Sequence, residues 1–376
     1  MTSVVTEDLP PMDVAARLTR LRRGLDGAGC DAVAVTSLTN IRYLTGFTGS
    51  AATLFVLPRQ AVLVTDGRYE TQSAEEIAAS GAEVRVEIGA AARQQEIAMA
   101  LVTAEGVGRL GLEAVHVSWA RQRALANDWF PDVALVPTVG LVEALRLVKD
   151  AGEVARVEAA ARIADQALAS VLPMLAEGPT ETAFGAALDF EIRRLGADGN
   201  SFETIVAAGP DGAKPHHRPG PRPIGRHELV VLDFGAMVDG YCSDMTRTVS
   251  VGEPGGDLGR VVEVVRASQA AGVAAVRAGV DCRDVDRACR EVIAEAGWGD
   301  RFVHSTGHGV GLDIHEAPAV AATSSDTLAS GHVVTVEPGV YLAGLGGARI
   351  EDTLVVTEDG CWPVTTTSKD LNVCER

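Results

Sequence analysis

The stretch ELVVLDFGAMVDGYCSDMTRTVSV, residues 228–251, predicts a β-hairpin. Its two apolar runs, 228–238 and 241–251, read as strands, and the Asp239-Gly240 pair between them is a strong signal for a two-residue turn. Each run contains an acid, and a carboxylate buried without a partner costs several kcal/mol. Each acid therefore needs hydrogen bonds, a cation or a proton.

The register of this hairpin follows from its turn. A two-residue turn places Val238 opposite Tyr241 and Gly235 opposite Asp244. Because side chains alternate between the faces of a strand, Asp233 shares a face with Asp244 as its diagonal neighbour, roughly 7 Å away. Two carboxylates so placed can bind one metal ion each and share one, although this pair alone favours a hairpin with a polar face.

A second hairpin is expected from two strand-like runs separated by the Gly-rich segment AGLGG: residues 332–342 (HVVTVEPGVYL) and 348–357 (ARIEDTLVVT). Each run carries one acid among β-branched residues, Glu337 and Glu351. A charge pair between Glu351 and Arg349 on one strand face is the alternative to a functional role. Asp352 is expected to supply a solvent-facing charge on the opposite face, which weighs against that alternative.

Between the hairpins lies HSTGHGVGLDIHE, residues 304–316, which holds His304, His308 and His315 of the eight histidines in the chain. Its glycines let the backbone come close to a ligand and leave few bulky neighbours to bury the rings as core. A lone histidine is usually structural or exposed. Three in one such segment predict at least one ligand or acid–base residue.

Five metal-ligand-type residues thus stand in order in the second half of the chain: Asp233, Asp244, His308, Glu337 and Glu351. Four carboxylates and one imidazole suit a pair of divalent metal ions. This oxygen-rich set favours manganese, with cobalt or zinc as alternatives, and the histidine makes magnesium less suitable.

The ordered motifs LDFGA, YCSDMTRT, HSTGHGVGLDIHE, VEPGVY and RIED resemble those of the pita-bread fold metallopeptidases, in particular the aminopeptidase P and prolidase (Xaa-Pro peptidase) branch. The family has a further histidine in a loop before the first hairpin. AAGPDGAKPHHRP supplies His216 there, directly after Pro215, with His217 beside it. In an extended loop the two rings point in opposite directions, so the pocket is expected to use His216 and not His217.

The resemblance implies how the five ligands divide two metal ions between them. Asp244 and Glu351 would bridge both ions, Asp233 would bind one of them, and His308 with Glu337 would complete the other. Glu337 would also take a proton from water and pass it to the leaving nitrogen.

The resemblance also implies roles for the histidines. His304 would steady the developing oxyanion, and His216 and His315 would orient carbonyl or carboxylate groups of the substrate. Arg349 and Thr246, each two residues from a ligand on the same inferred face, are candidates to support the ligands, with ordinary sheet polarity as the alternative.

The first half of the chain reads as an α/β domain, because strand-like and helix-like segments alternate over about 145 residues. NIRYLTGFTGS at 40–50 and TDGRYETQ at 65–72 also resemble the amino-terminal domain of aminopeptidase P-like proteins. Without that resemblance, Arg68 and Tyr69 read as surface or packing residues.

We expect residues 1–148 to form this creatinase-like α/β domain and residues 149–376 to form an α+β pita-bread (creatinase/aminopeptidase) catalytic domain. In the second domain the element order repeats, which predicts a pseudo-twofold arrangement around one central site. The first half of the repeat is helix 152–176, helix 180–195, strand 202–208 and hairpin 228–251. The second half is helix 257–277, helix 283–296, the histidine segment 301–315 and hairpin 332–357.

Composition excludes several other classes of protein. The 33 basic and 51 acidic residues give a net charge of −18, and no basic stretch could follow a phosphate backbone, so no nucleic acid is expected as a partner. No apolar run is long enough to span a bilayer, and MTSVVTEDLP at the start does not resemble a signal peptide. We therefore expect a cytoplasmic protein without a membrane partner, and reduced thiols at the six scattered cysteines.

The resemblance implies a homodimer that hydrolyses peptides with proline in second position, cutting between the N-terminal residue and the proline. An Xaa-Pro dipeptidase (prolidase) is the alternative within the branch. A metal-independent creatinase-type hydrolase is disfavoured by the complete ligand set. A binding protein that kept the fold without turnover is a third possibility.

Overall fold

The computed structural model describes residues 9–374, which form two compact units. One unit spans residues 12–146, and the other spans residues 147–374 together with 9–11. The division predicted between 148 and 149 stays a prediction, close to this change of unit. Residues 1–8, which hold most of the segment read as lacking a signal peptide, lie outside the described residues.

Residues 12–146 form the predicted α/β unit, built on one mixed sheet with strand order β4-β3-β2-β1-β5-β6. The strands are β1 Ala32–Val35, β2 Ala52–Val56, β3 Ala61–Thr65, β4 Arg85–Ile88, β5 Arg109–Glu113 and β6 Ala134–Thr138. The helices are α1 Arg17–Leu25, α2 Leu38–Thr45, α3 Glu70–Ser80, α4 Ala91–Ala104, α5 Trp119–Ala124 and α6 Glu143–Arg146. Tyr69 stacks edge-on against Phe47, and Arg68 pairs with Asp66, as expected of packing and surface residues.

The second unit contains two helix pairs and the acid-bearing hairpins. Its helices are α7 Ala151–Val171, α8 Glu181–Arg194, α9 Leu258–Ala275 and α10 Cys282–Glu295. Its strands up to the first hairpin are β7 Gly199–Asn200, β8 Ile205–Ala208, β9 Glu228–Phe234, β10 Ala236–Val238, β11 Tyr241–Cys242 and β12 Met245–Val251. The later strands are β13 Gly307–Gly309, β14 Glu316–Val320, β15 Val333–Val336, β16 Gly339–Leu342, β17 Gly346–Arg349, β18 Asp352–Val356, β19 Cys361–Pro363 and β20 Asn372–Cys374.

Each helix pair covers one sheet, which confirms the predicted repeat. Helix α7 packs through small apolar residues such as Ala160 and Ala164, and helix α8 packs through Leu188, onto the sheet β20-β12-β9-β8. Helices α9 and α10 pack through Val265 and Val285 onto the sheet β14-β13-β15-β18-β19. Helix α7 begins where the Asp150 and Glu153 side chains each accept a backbone N–H of the other, the arrangement known as a capping box.

The first hairpin has the predicted register. Val238 faces Tyr241, and the turn residues Asp239 and Gly240 have φ angles of 46° and 76°, as a two-residue turn of this kind requires. The strands break opposite each other at Gly235 and Asp244, while the pairing beyond the break keeps the same register. Gly235 is required at this break, because a Cβ there would lie 1.9 Å from the Ser243 carbonyl oxygen.

The second hairpin differs from the expectation of two unbroken strands. Pairing of β15 with β18 stops at Val336 and Asp352 and resumes in the same register between β16 and β17. Glu337 and Glu351 therefore face each other inside the break. Gly346 and Gly347, expected in the loop, belong to β17, where a Cβ on Gly347 would lie 2.3 Å from the Gly212 carbonyl oxygen.

The structure explains why glycines occur in the histidine segment, and the explanation differs from the one expected from the sequence. A Cβ on Gly307 would lie 2.0 Å from the Thr335 carbonyl oxygen, and one on Gly309 would lie 2.2 Å from that of Ala317. These glycines let neighbouring strands approach β13, whereas the sequence suggested that they let a ligand approach.

Two further expectations concern the whole of residues 9–374. Within that range no helix has the length and apolar character needed to cross a membrane. All six cysteines lie in the described range and are free thiols.

Candidate metal centre

The two broken hairpins and the histidine segment line one cavity of about 460 Å³. It brings together every predicted site residue except Thr246: His216, Asp233, Asp244, His304, His308, His315, Glu337, Arg349 and Glu351. His217 lines the same cavity. Asp244, Glu337 and Glu351 lie in the strand breaks, outside regular pairing, whereas Asp233 is paired within β9.

Asp244, His308 and Glu351 form the tightest group in this cavity. One potential ligand atom from each of them lies within 4.8 Å of the others. His308 Nε2 is 3.5 Å from Asp244 Oδ2 and 3.6 Å from Glu337 Oε1. Asp244 and Glu351 are both buried, so their charges are poorly solvated by water.

The hydrogen bonding of His308 fits a metal ligand. Its Nδ1 lies 2.9 Å from the Gly309 carbonyl oxygen, which can only accept, so Nδ1 carries the proton. Burial lowers the pKa of His308 to about 4, so the ring is neutral near pH 7. The Nε2 lone pair then faces two carboxylate oxygens, and a cation between them would replace repulsion by ligation.

Asp233 provides a second sign that a cation fits the site. Its Oδ2 accepts a hydrogen bond of 2.6 Å from Arg349 Nη2. Its Oδ1 is buried and has no hydrogen-bond partner among the described residues. A buried carboxylate oxygen without a donor is costly, and a metal ion is a natural partner for it.

The pKa values of the acids reflect the same crowding. Burial, and then the neighbouring carboxylates Glu351, Asp233 and Glu337, raise the pKa of Asp244 well above its usual value. Burial and Glu351 likewise raise the pKa of Glu337. Burial and Asp233 raise the pKa of Glu351 to about 8. Divalent cations would relieve this repulsion and allow all of these carboxylates to ionise.

A chain of hydrogen bonds that the sequence analysis missed runs along one wall. Arg349 Nη1 donates to the Tyr341 hydroxyl at 2.8 Å, and this hydroxyl lies 2.8 Å from His304 Nε2. His304 Nδ1 lies 2.8 Å from the Ser305 carbonyl oxygen, so Nδ1 carries the proton and Nε2 accepts from Tyr341. Tyr341 could have been suspected, because it lies four residues after Glu337, an even spacing that shares a strand face.

In this arrangement the single N–H of the neutral His304 ring is engaged by Ser305. Burial, and then the charge of Arg349, lower the pKa of His304 to about 4. Donation to an oxyanion would require the ring to exchange a partner. The predicted role of His304 stays a prediction.

Threonine hydroxyls join the two halves of the repeat behind the ligands. Thr246 Oγ1 donates to Glu351 Oε2 at 2.7 Å, and Thr353 Oγ1 donates to the Asp244 carbonyl oxygen at 2.8 Å. The Glu351 backbone N–H donates to the Thr246 carbonyl oxygen at 3.1 Å. Thr246 thus contacts a candidate ligand directly, although it does not line the cavity.

The expectation that Asp352 faces solvent is wrong. Asp352 is 1% exposed and pairs with Arg247 Nη2 at 2.8 Å and Lys369 Nζ at 2.6 Å. Its position one residue after Glu351 puts it on the opposite strand face, but packing buries that face too. Arg349 pairs with Asp233, so the alternative of a charge pair between Arg349 and Glu351 is also not what the structure shows.

The two histidines of the loop have different surroundings. His216 is exposed at the cavity, while His217 Nε2 lies 2.8 Å from the buried carboxylate of Glu181. His315 packs edge-on against His308, with ring centroids 4.5 Å apart. Both His216 and His217 line the cavity. The expectation that the pocket uses His216 and not His217 stays a prediction.

Comparison with known proteins assigns this architecture to a class. Residues 155–358 match the model of metallopeptidase family M24, and residues 17–148 match the creatinase/prolidase N-terminal domain. The chain belongs to metallopeptidase family M24, as its motifs suggested, and membership in this family implies a dinuclear metal site. The hydrogen bonding of His308 and the unpartnered oxygen of Asp233 fit such a site.

Three relatives show how far the similarity extends. The uncharacterized peptidase YqhT of Bacillus subtilis (strain 168) is 41% identical over 94% of this chain and 99% of its own length. The structure of an Xaa-Pro dipeptidase from Bacillus anthracis is 37% identical, with a TM-score of 0.91 over 96% of this chain and 100% of that one. An X-Pro aminopeptidase from Thermotoga maritima MSB8 is 33% identical, with a TM-score of 0.86 over 94% and 99%.

We expect metal-free protein to lose stability as the pH rises from 7.5 to 8.5. The pKa of Glu351 is about 8 in the folded state. Between its unfolded pKa and pH 8, Glu351 is therefore protonated in the folded protein and ionised in the unfolded chain. The contribution of such a group to the free energy of unfolding is fully present below its unfolded pKa and is lost as the pH rises through its folded pKa. The loss should be on the order of 1 kcal/mol across this window.

The window excludes the opposing effect of the histidines. His304, His308 and His332, with folded pKa values of about 4, destabilise the fold at pH values near and below 6.5, where their unfolded rings take up protons, and this effect has faded by pH 7.5. Thermal denaturation in chelator at both pH values measures the slope, and Glu351→Gln should make it shallower. A melting temperature that rises over this window would contradict the expectation.

Proposed function

We propose that this chain is a dinuclear metallo-aminopeptidase that hydrolyses the bond between an N-terminal residue and a following proline. The observation that carries the proposal is the meeting of Asp244, His308 and Glu351 in one cavity, with Asp233 and Glu337 on its wall. The substrate class is supported by the Xaa-Pro peptidases among its relatives.

Two divalent ions, manganese by preference, would be held by Asp233, Asp244, His308, Glu337 and Glu351. When bound, they act as Lewis acids, which polarise the scissile carbonyl and lower the pKa of water so that hydroxide can form and attack at neutral pH. Glu337 lies at the cavity wall, where it can take the proton of the attacking water. It then gives this proton to the proline nitrogen, which carries none of its own before cleavage.

The remaining cavity residues would orient the substrate. His216, exposed on its loop, can donate to a peptide carbonyl, and His315, whose ring packs against that of His308, lines the same cavity. Arg349 holds Asp233 in place and, through Tyr341, keeps the His304 ring fixed.

An Xaa-Pro dipeptidase is the second candidate, and it is favoured by the dipeptidase from Bacillus anthracis. We further propose a homodimer and a cytoplasmic location, in accord with the composition and the family resemblance.

Metal analysis of purified protein, combined with cleavage assays on Xaa-Pro dipeptides and Xaa-Pro-Yaa peptides, tests the proposal. We expect two metal ions per chain and release of the N-terminal residue. A matched peptide with alanine in place of proline is the substrate control. Bound metal without cleavage of either proline peptide would contradict the proposal, and cleavage of dipeptides alone would select the second candidate.

His216→Ala should lower kcat/KM for Xaa-Pro peptides by about a hundredfold, because misplacement of a substrate carbonyl by about 1 Å has a cost of that order. Metal content should not change, since His216 is not among the proposed ligands. Steady-state kinetics with His116→Ala, a histidine of the other unit, as control measures the effect. An unchanged rate would remove His216 from the site.

A further inference from the structure

A buried carboxylate accepts hydrogen bonds from the loop that carries His216. Glu181, the first residue of α8, is 0% exposed. Its Oε1 accepts the Ala208 backbone N–H at 2.8 Å, and its Oε2 accepts that of Gly220 at 2.9 Å. One carboxylate thus holds the residue before the loop and the residue that ends it.

The same carboxylate also holds the middle of the loop. His217 Nε2 lies 2.8 Å from Glu181 Oε2, and the His217 side chain is only 13% exposed. An ionised carboxylate only accepts hydrogen bonds, so Nε2 of His217 is the donor. A charge-assisted hydrogen bond inside a buried network is among the stronger polar contacts available to a loop.

The two neighbours of His216 in the chain are both held by hydrogen bonds, and on one side Glu181 holds His217. On its other side, the Pro215 carbonyl oxygen accepts from Arg349 Nη1 at 3.3 Å, and the proline ring restricts the backbone there. The backbone of His216 is therefore held toward Arg349 on one side and toward Glu181 on the other.

We propose that Glu181 and His217 are a positioning pair for His216, which they hold at the substrate carbonyl without touching substrate themselves. This inference rests on the proposed function. It assigns to His217, which the sequence analysis expected to have little effect, a contribution that passes through its neighbour.

A second reading of the same residues is a separate metal site, because ligand atoms of Glu181, Asp211 and His217 lie within 4.8 Å of one another. Two observations argue against a metal site. Asp211 already pairs with Lys214 Nζ at 2.6 Å, and the Glu181 carboxylate already accepts hydrogen bonds from two backbone N–H groups and the His217 ring. Metal content of the variants separates the two readings.

The test compares His217→Ala with His217→Gln, whose amide N–H can take the place of Nε2–H. We expect kcat/KM on an Xaa-Pro peptide to fall about tenfold in the alanine variant and to recover to within about threefold of wild type in the glutamine variant. Lys214→Ala, in the same loop, is the matched control and should retain wild-type kinetics.

The decisive measurement repeats His217→Ala in the His216→Ala background. If His217 acts through His216, the second substitution should cause almost no further loss, whereas independent effects would multiply. Circular dichroism confirms folding, and metal analysis should give the wild-type content throughout.

Three results would overturn the positioning pair: wild-type kinetics in His217→Ala, an equal loss in both backgrounds, or loss of a metal ion from the alanine variant. Absence of wild-type turnover would overturn the proposed function together with this inference. With turnover present, the three results bear on the positioning pair alone.

Discussion

Asp244→Ala and Glu351→Ala should each abolish peptide hydrolysis and release bound metal. The loss should exceed the roughly 10- to 100-fold that removal of a residue supporting a ligand costs. Both residues belong to the group whose ligand atoms lie within 4.8 Å of one another, and both are buried. Removal of either leaves the remaining ligands unable to share two ions. Metal analysis and kinetics on an Xaa-Pro peptide measure both losses.

Matched controls are available for both substitutions. Asp239→Asn removes an acid from the turn of the first hairpin, and asparagine tolerates the φ angle of 46° there. Glu358→Ala removes an exposed glutamate beyond the second hairpin. Both controls should keep metal and activity, and chelated wild type and variants should have melting temperatures within a few degrees of each other. Near-normal turnover with full metal content in Asp244→Ala or Glu351→Ala would refute the dinuclear assignment.

Glu337→Gln should lower kcat by roughly a hundredfold or more while part of the metal stays bound. Glutamine keeps the size of the side chain and one ligand oxygen, but it cannot take a proton from water.

The comparison must be made at equal metal occupancy, because glutamine is a weaker ligand than glutamate. Titration of the variant with manganese until occupancy matches wild type, followed by single-turnover kinetics, separates chemistry from metal loss. An unchanged rate at matched occupancy would assign the base to another residue, with His304 as the first to test.

The first hairpin shows how much of the site the sequence could predict. Asp239-Gly240 fixes the turn, the turn fixes the register, and the register places Asp233 and Asp244 on one face. This chain of reasoning is local, so no tertiary information was needed. The same holds for the alternation of helices and strands, since periodicity along the chain reports it.

The second hairpin shows where local reasoning stops. Its turn is not recognisable, because Gly346 and Gly347 resemble loop residues and are needed in β17 by the approach of Gly212. That Glu337 faces Glu351 could therefore not be read from the sequence. Asp352 was misjudged for the same reason, since its partners Arg247 and Lys369 are distant in sequence.

The contact between Glu181 and His217 was out of reach as well. The two residues are 36 positions apart and belong to different elements. Nothing in the local pattern around Glu181, at the start of an amphipathic helix, distinguishes it from an ordinary acid in a first turn.

The backbone N–H of Glu351 can report whether the two halves of the repeat are in contact at the site. Its hydrogen is bonded to the Thr246 carbonyl oxygen in the other half of the repeat, while its own hairpin leaves it unpaired at the strand break. Exchange of this hydrogen with deuterated solvent therefore requires the contact between the two halves to break at this point. Its exchange rate would therefore set an upper limit on how often the two halves of the repeat separate and the ligands of the two hairpins move apart.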